Sequence, residues 1–262
     1  MRNISYLCQK WAAFAVELSL LSSFFDQTTT PIWQTPNANL SKQTQAGLFS
    51  LVAFRLRALG RFKEAVSPMQ TSLKMQIDQK HWEEAGINAN NLSVFHLILG
   101  NTKKAIEVAN QAIVLAKKNK DDHFWAITNQ TLLADAQHQA GYFDLSLGNF
   151  IKTEKLLQHQ NSSANLQLSA LQNFRYCDLL LENKSLFVKV QKRTNKDLKA
   201  GRKKKKLLTI AVDQLILSHT KLQKNIHYLF KNEPLFAQQI KKVTTKVNFN
   251  YSLKLRNIQN LF

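Results

Sequence analysis

The sequence predicts an all-α fold, an α-solenoid of about four stacked antiparallel helix pairs. Three observations predict it. Glycine recurs at Gly60, Gly100 and Gly141, spaced by 40 and 41 residues. Small and apolar side chains recur at fixed distances from each of these glycines. Proline and glycine are otherwise scarce, with four and seven in 262 residues. That scarcity suits long helices joined by short turns, whereas sandwiches and barrels need many tight turns.

Taken in chain order, the first element is a helix. Arg2 and Lys10 precede an apolar-rich run from Trp11 to Phe25, which superficially resembles a secretory leader. Glu17 interrupts it, and no small-residue cleavage site follows Phe24-Phe25-Asp26. The run is also shorter than the ~20 residues a membrane span requires. Leu7, Trp11, Phe14, Leu18 and Leu21 fall at helical spacing, which predicts an amphipathic helix packed on a core. Residues 1–40 are therefore assigned to this helix and a proline-containing linker, with no membrane span and a cytoplasmic location.

Residues 41–182 carry the repeat. Five positions after the three glycines stand Ala65, Ala105 and Ser146, and twelve after stand Ser72, Ala112 and Thr153. Seven before stand Ala53, Ser93 and Ala134; eight before stand Val52, Leu92 and Leu133. A helix that stops and reverses needs a residue tolerant of the left-handed conformation just past its end. Small residues on both helices let two backbones approach closely. A weaker fourth copy places Asn183 where the glycine would be, with Tyr176 and Val188 breaking the small-residue rule. One such hairpin cannot bury its own apolar face, so the copies are expected to stack. Pro68 falls inside the expected second helix of copy one, where a missing amide costs ~3 kcal/mol.

This pattern of apolar, small, six residues, glycine, four residues, small resembles the tetratricopeptide (TPR) repeat, in the longer 40–42-residue bacterial variety. Trp82-Glu83-Glu84-Ala85, Asn90-Asn91-Leu92-Ser93 and Thr131-Leu132-Leu133-Ala134-Asp135-Ala136 are similar to repeats of that group. Some of those proteins lie downstream of a signal-transduction ATPase module. The resemblance implies a right-handed superhelix whose first helices line a groove for a protein or peptide partner. Carried over position by position, it places Ser50, Leu51, Phe54 and Arg57 in the groove, then Asn90, Asn91, Val94 and Leu97. It adds Thr131, Leu132, Asp135 and His138, then Asn173, Phe174, Cys177 and Leu180. The polar members Arg57, Asn90, Asn91, Thr131, Asp135, His138 and Asn173 are the candidate contacts. Side-chain amides can hydrogen-bond an extended backbone without demanding a sequence. For Asn91 a second reading stands, a bond to backbone between helices.

The formal charge of +19 is unevenly placed. Residues 181–262 hold 19 Lys and Arg against 4 Asp and Glu, and 11 of the 23 residues from Lys184 to Lys206 are basic. Two readings apply to 183–206: a basic linker or degenerate helix facing solvent, or a polyanion-binding segment using Lys199, Arg202, Lys203, Lys204, Lys205 and Lys206. Phe187 is its single aromatic residue, which offers little base stacking. Residues 207–262 are expected to form a helical tail, with Leu207 to Leu217 as the start of a further repeat.

Catalytic signatures are missing from the sequence. It has no G-x-x-x-x-G-K-[ST] or G-x-G-x-x-G phosphate loop, no H-E-x-x-H and no G-x-S-x-G. Cys8 and Cys177 lack partners at metal-ligand spacing and read as buried small hydrophobes. His96 and His138 occupy near-equivalent repeat positions and read as packing or solvent-facing imidazoles. The expectation is a non-catalytic scaffold or sensor module without cofactor or metal. The alternatives are a nucleic-acid-associated protein acting through 184–206, or the remnant of a larger signalling ATPase.

Overall fold

The computed structural model of the protein describes residues 14–29, 32–118, 123–160, 168, 170–203 and 206–232. Ten α-helices follow one another there: α1 (Phe14–Ser22), α2 (Lys42–Ala58), α3 (Phe62–Asp78), α4 (Trp82–Ile98) and α5 (Thr102–Lys118), then α6 (His123–Gln139), α7 (Phe143–Gln160), α8 (Ala170–Leu181), α9 (Phe187–Lys203) and α10 (Leu207–Asn232). No strand forms among the described residues, and Phe25 with Pro36 makes an isolated bridge. Two compact units meet at Leu132 and Leu133, within α6. In the first, α2 packs on α3, α3 on α4 and α4 on α5; in the second, α7 packs on α8, and α8, α9 and α10 pack on one another. The fold is the all-α helical repeat that the glycine period predicts.

The turns explain the period. Gly60, Gly100 and Gly141 have φ of 73°, 76° and 84°. In each turn the glycine N–H donates three residues back and the next N–H donates five back. The pairs are Gly60 to Arg57 and Arg61 to Leu56, Gly100 to Leu97 and Asn101 to His96, then Gly141 to His138 and Tyr142 to Gln137. These bonds satisfy carbonyls that a helix end leaves open, at a backbone angle that glycine tolerates best. Between α3 and α4 the same two bonds form with Lys80 in the left-handed position, at φ 60°. A β-carbon there costs about 1 kcal/mol. Lys80→Gly is therefore expected to stabilise the protein by about 1 kcal/mol, read as a higher urea midpoint. A lower midpoint would show that Lys80 is held there by something worth more than its strain.

The small residues sit where the hairpin helices cross. Ala53, Ala65, Ser93, Ala105, Ala134 and Ser146 are all fully buried. In copy two, Ser93 Oγ donates to the Ala105 carbonyl at 2.8 Å; in copy three, Ser146 Oγ donates to the Ala134 carbonyl at 2.7 Å. A larger side chain at either place would hold the backbones apart and break that bond. Pro68 is buried inside α3, and the helix runs on through it to Asp78. Packing of α3 against both α2 and α4 offsets the hydrogen bond that proline cannot donate.

At the start of the first unit, Leu18 and Leu21 are buried as expected, while Leu7, Trp11 and Cys8 lie outside the described residues. Glu17 is buried too, and it receives both Nε and Nη2 of Arg55, the latter at 2.8 Å. A forked guanidinium–carboxylate pair of this kind lets an apolar helix carry a charge inward. Among the described residues no helix is long and apolar enough to cross a membrane.

Two sequence expectations change. Asn183 does not take the left-handed conformation; its backbone is extended at φ −109°, and its side chain caps the 3₁₀ turn Lys184–Leu186. Within the Lys184–Lys206 run, Phe187–Lys203 forms the regular helix α9 rather than a linker, with Phe187, Val190, Thr194 and Leu198 buried at helical spacing. Lysines at the intervening positions hid that apolar seam from a reading based on charge density. At Gly201 an added β-carbon would lie 3.0 Å from Thr209 Cγ2, so the helix pair α9–α10 uses glycine for close approach, as the earlier pairs use alanine and serine.

Candidate functional site

The seven predicted polar contacts fall into three groups. In the first unit, Arg57, Asn90 and Asn91 are half-buried on the first-helix faces. Arg57 Nη1 donates to Asn91 Oδ1 at 3.2 Å, and Asn91 Nδ2 donates to the Ile87 carbonyl at 2.9 Å. Asn91 thus bonds backbone within its own helix rather than between helices, and ties α4 to α2 only through the Arg57 side chain. The Asn90 amide makes no hydrogen bond among the described residues, and Leu51, Phe54, Ile87 and Val94 share its half-exposed stripe. Leu97, predicted for the same stripe, is buried instead.

In the second unit, Asp135 and His138 are buried against α8. Arg175 Nε lies 3.2 Å from Asp135 Oδ2, and His138 stands between Asp178, at 3.9 Å, and Glu182, at 3.6 Å. Positions predicted to receive a partner are thus largely taken up by side chains of the adjacent first helix. The same spacing that puts these residues on one face also brings neighbouring copies within ion-pair reach.

The third group is displaced from any groove. Thr131 is fully buried, and its hydroxyl donates to the Thr128 carbonyl at 2.8 Å. Asn173 is also fully buried and accepts from Arg193 Nε while its Nδ2 reaches Asp213 Oδ1 at 3.5 Å. Phe174, Cys177 and Leu180 are buried as well. For the α8 residues the reason is α10, which packs across α8 and converts a face expected to be open into interior.

Around Asn173 the second unit holds a polar core. Arg193, from the basic run, is buried; it grips Glu154 with Nη1 at 3.0 Å and Nη2 at 2.5 Å and lies 4.6 Å over the Tyr176 ring. Asp213 is fully buried, and its Oδ2 has no hydrogen-bond partner among the described residues. Burial, reinforced by the charge of Asp197, pushes its carboxyl up to about 7 despite the Asn173 amide. Burial likewise pushes the Cys177 thiol up to about 11, which leaves it protonated and unreactive. In the first unit, His96 is buried, and burial together with Lys104 holds its pKa below the usual imidazole range. Among the described residues no three His, Cys, Asp or Glu side chains come together as a metal set.

No protein-family model matches this chain, and no curated protein matches it either. The site rests on its own geometry.

One recurring feature escapes the glycine-centred alignment. Asn88 and Asn129 each stand twelve residues before a repeat glycine. Both are buried; Asn88 Nδ2 donates to Ser72 Oγ at 2.8 Å, and Asn129 Nδ2 donates to the Ala112 carbonyl at 3.1 Å. Ser72 and Ala112 are the residues twelve after the preceding glycine. The asparagines therefore join each copy to the one before it. Their 41-residue spacing is the sequence signal that could have found them.

Proposed function

We propose that the chain is a non-catalytic, TPR-type adaptor of the cell interior that binds an extended peptide segment of a partner protein on the α2–α4 face. The observation that carries this reading is the half-exposed stripe of the first unit. There the uncommitted Asn90 amide sits among Leu51, Phe54, Ile87 and Val94, beside Arg57. Apolar side chains at this exposure supply contact area, and a free amide can both donate to and accept from a peptide backbone. The 40- and 41-residue glycine period and the buried small residues at hairpin crossings support the family assignment.

Panning a random peptide display library against the full chain tests it. Enriched peptides are expected to lose about tenfold in affinity when Arg57→Ala and Asn90→Ala are combined, the equivalent of one or two hydrogen bonds. The far-UV circular dichroism should not change. Failure to enrich any peptide, or equal affinity for the double variant, would remove the α2–α4 face as the binding surface.

A further inference from the structure

We infer that the exposed face of α9 binds the phosphate backbone of a nucleic acid. The helical register of α9 separates its residues by burial: Phe187, Val190, Thr194 and Leu198 turn inward, with Arg193 and Asp197 also buried. Lys189, Lys192, Lys196, Lys199 and Lys203 are all exposed. Their spacing alternates between three and four residues, which lays five ammonium groups along one straight stripe. At 1.5 Å per residue the stripe is about 21 Å long. Beside its first half lies an open cleft of about 540 Å³, lined by Val188, Lys189, Lys192, Arg193 and Lys196.

Lys203, in the last turn, complements the helix dipole, but the rest of the stripe gives the helix nothing. Like charges three and four residues apart on a helix repel, and a lysine in the first turn opposes the helix dipole. The only acidic residue of α9 is Asp197, which is buried, so the outer face carries a single sign of charge. Lys189, Lys192, Lys199 and Lys203 have no ion pair among the described residues. Such a face is complementary to a regular polyanion.

Composition selects the class of partner. Protein interfaces are depleted in lysine and favour aromatic and arginine anchors at their centre. Here the stripe is lysine alone, and Phe187 faces inward. Lysine acts as a point charge suited to phosphate. With no aromatic on the exposed face of α9 for base stacking, contact to the backbone without sequence preference is the outcome. One strand of a duplex advances 3.4 Å per phosphate, so the stripe spans roughly six nucleotides. Lys199, Lys203 and Arg202 of the polyanion set read from sequence lie on this helix, and Lys206 follows it. Lys204 and Lys205 lie outside the described residues. Lys189, Lys192 and Lys196 join the set because the helix aligns them.

Fluorescence anisotropy of the full chain with a labelled mixed-sequence DNA duplex of about 20 base pairs, from 50 to 200 mM salt, tests the inference. Binding should weaken steeply with salt. Replacing Lys189, Lys192, Lys196 and Lys199 with Gln should make the log–log slope shallower by about 0.9 per lysine and lower affinity at least tenfold at 100 mM salt. The same four positions as Arg should restore binding, which separates lost charge from lost fold. Three results would overturn the inference: no binding at 50 mM salt, a slope unchanged by the Gln variant, or a loss reproduced in full by Lys204→Gln, Lys205→Gln and Lys206→Gln. Polyglutamate that competes as well as DNA at equal charge would assign the face to an acidic polypeptide instead.

Discussion

Arg193→Met is expected to destabilise the protein by about 3–5 kcal/mol, far more than loss of any exposed lysine of the same helix. The guanidinium is enclosed, and it satisfies Glu154 through two nitrogens and Asn173 through a third while covering the Tyr176 ring. Methionine fills a similar volume but leaves the Glu154 carboxylate and the Asn173 carbonyl without that donor. An uncompensated charge in a region of low dielectric dominates the balance. Lys192→Met, one residue away and exposed, should change stability by no more than about 0.5 kcal/mol. Urea denaturation followed by far-UV circular dichroism compares the two. Equal shifts would mean that Arg193 is as solvated as its neighbours. Adding Glu154→Leu to Arg193→Met should recover part of the loss, because it removes the stranded charge.

Asp213→Asn should stabilise the protein strongly at pH 8 and by only about 1 kcal/mol at pH 4.5. The Asp213 carboxyl is raised from 3.8 to about 7 in the folded chain. Between those values the folded state holds a proton that the unfolded state has released, so stability falls as pH rises through the window. Above about pH 7 the full cost is present, at most about 4 kcal/mol for a shift of this size. Asparagine keeps the acceptor for Asn173 and cannot ionise. The stability difference between variant and wild type should therefore grow from pH 4.5 to pH 8, measured by urea melts at each pH. A difference that stays flat would show that Asp213 titrates as it does in the unfolded chain. His96 acts on the other side: with its folded pKa depressed, it removes stability as pH falls below the unfolded imidazole value of 6.5.

How much was legible in advance varies with the range of the interaction. Gly60, Gly100 and Gly141 could be read directly, because a left-handed helix stop is a demand of the local backbone. The buried small residues followed from the same alignment, since hairpin helices cross at fixed distances from the turn. Glu17 argued by its charge against a secretory leader, but its partner Arg55 stands 38 residues away and only packing joins them. Asn183 shared the glycine position yet found a shorter way to close its turn, through its own side chain. Asp135 and His138 were placed on the first-helix face, while Arg175 and Asp178, which engage them, come from a separate copy. Asn173 was assigned to an open surface because nothing in its own repeat announces that α10 will cover it.

The sequence by itself determined the period, the helix–turn–helix unit and the small-residue crossings, since each depends on backbone conformation within a single hairpin. Only the tertiary structure decided which polar side chains remain uncommitted. Whether an asparagine or an arginine is free depends on groups brought within about 3 Å of it from other helices, and hydrogen bonds and ion pairs fall away steeply beyond that distance. That distinction leaves Asn90 open, takes Asn173 and Arg193 into the interior, and turns a run of lysines into an ordered stripe.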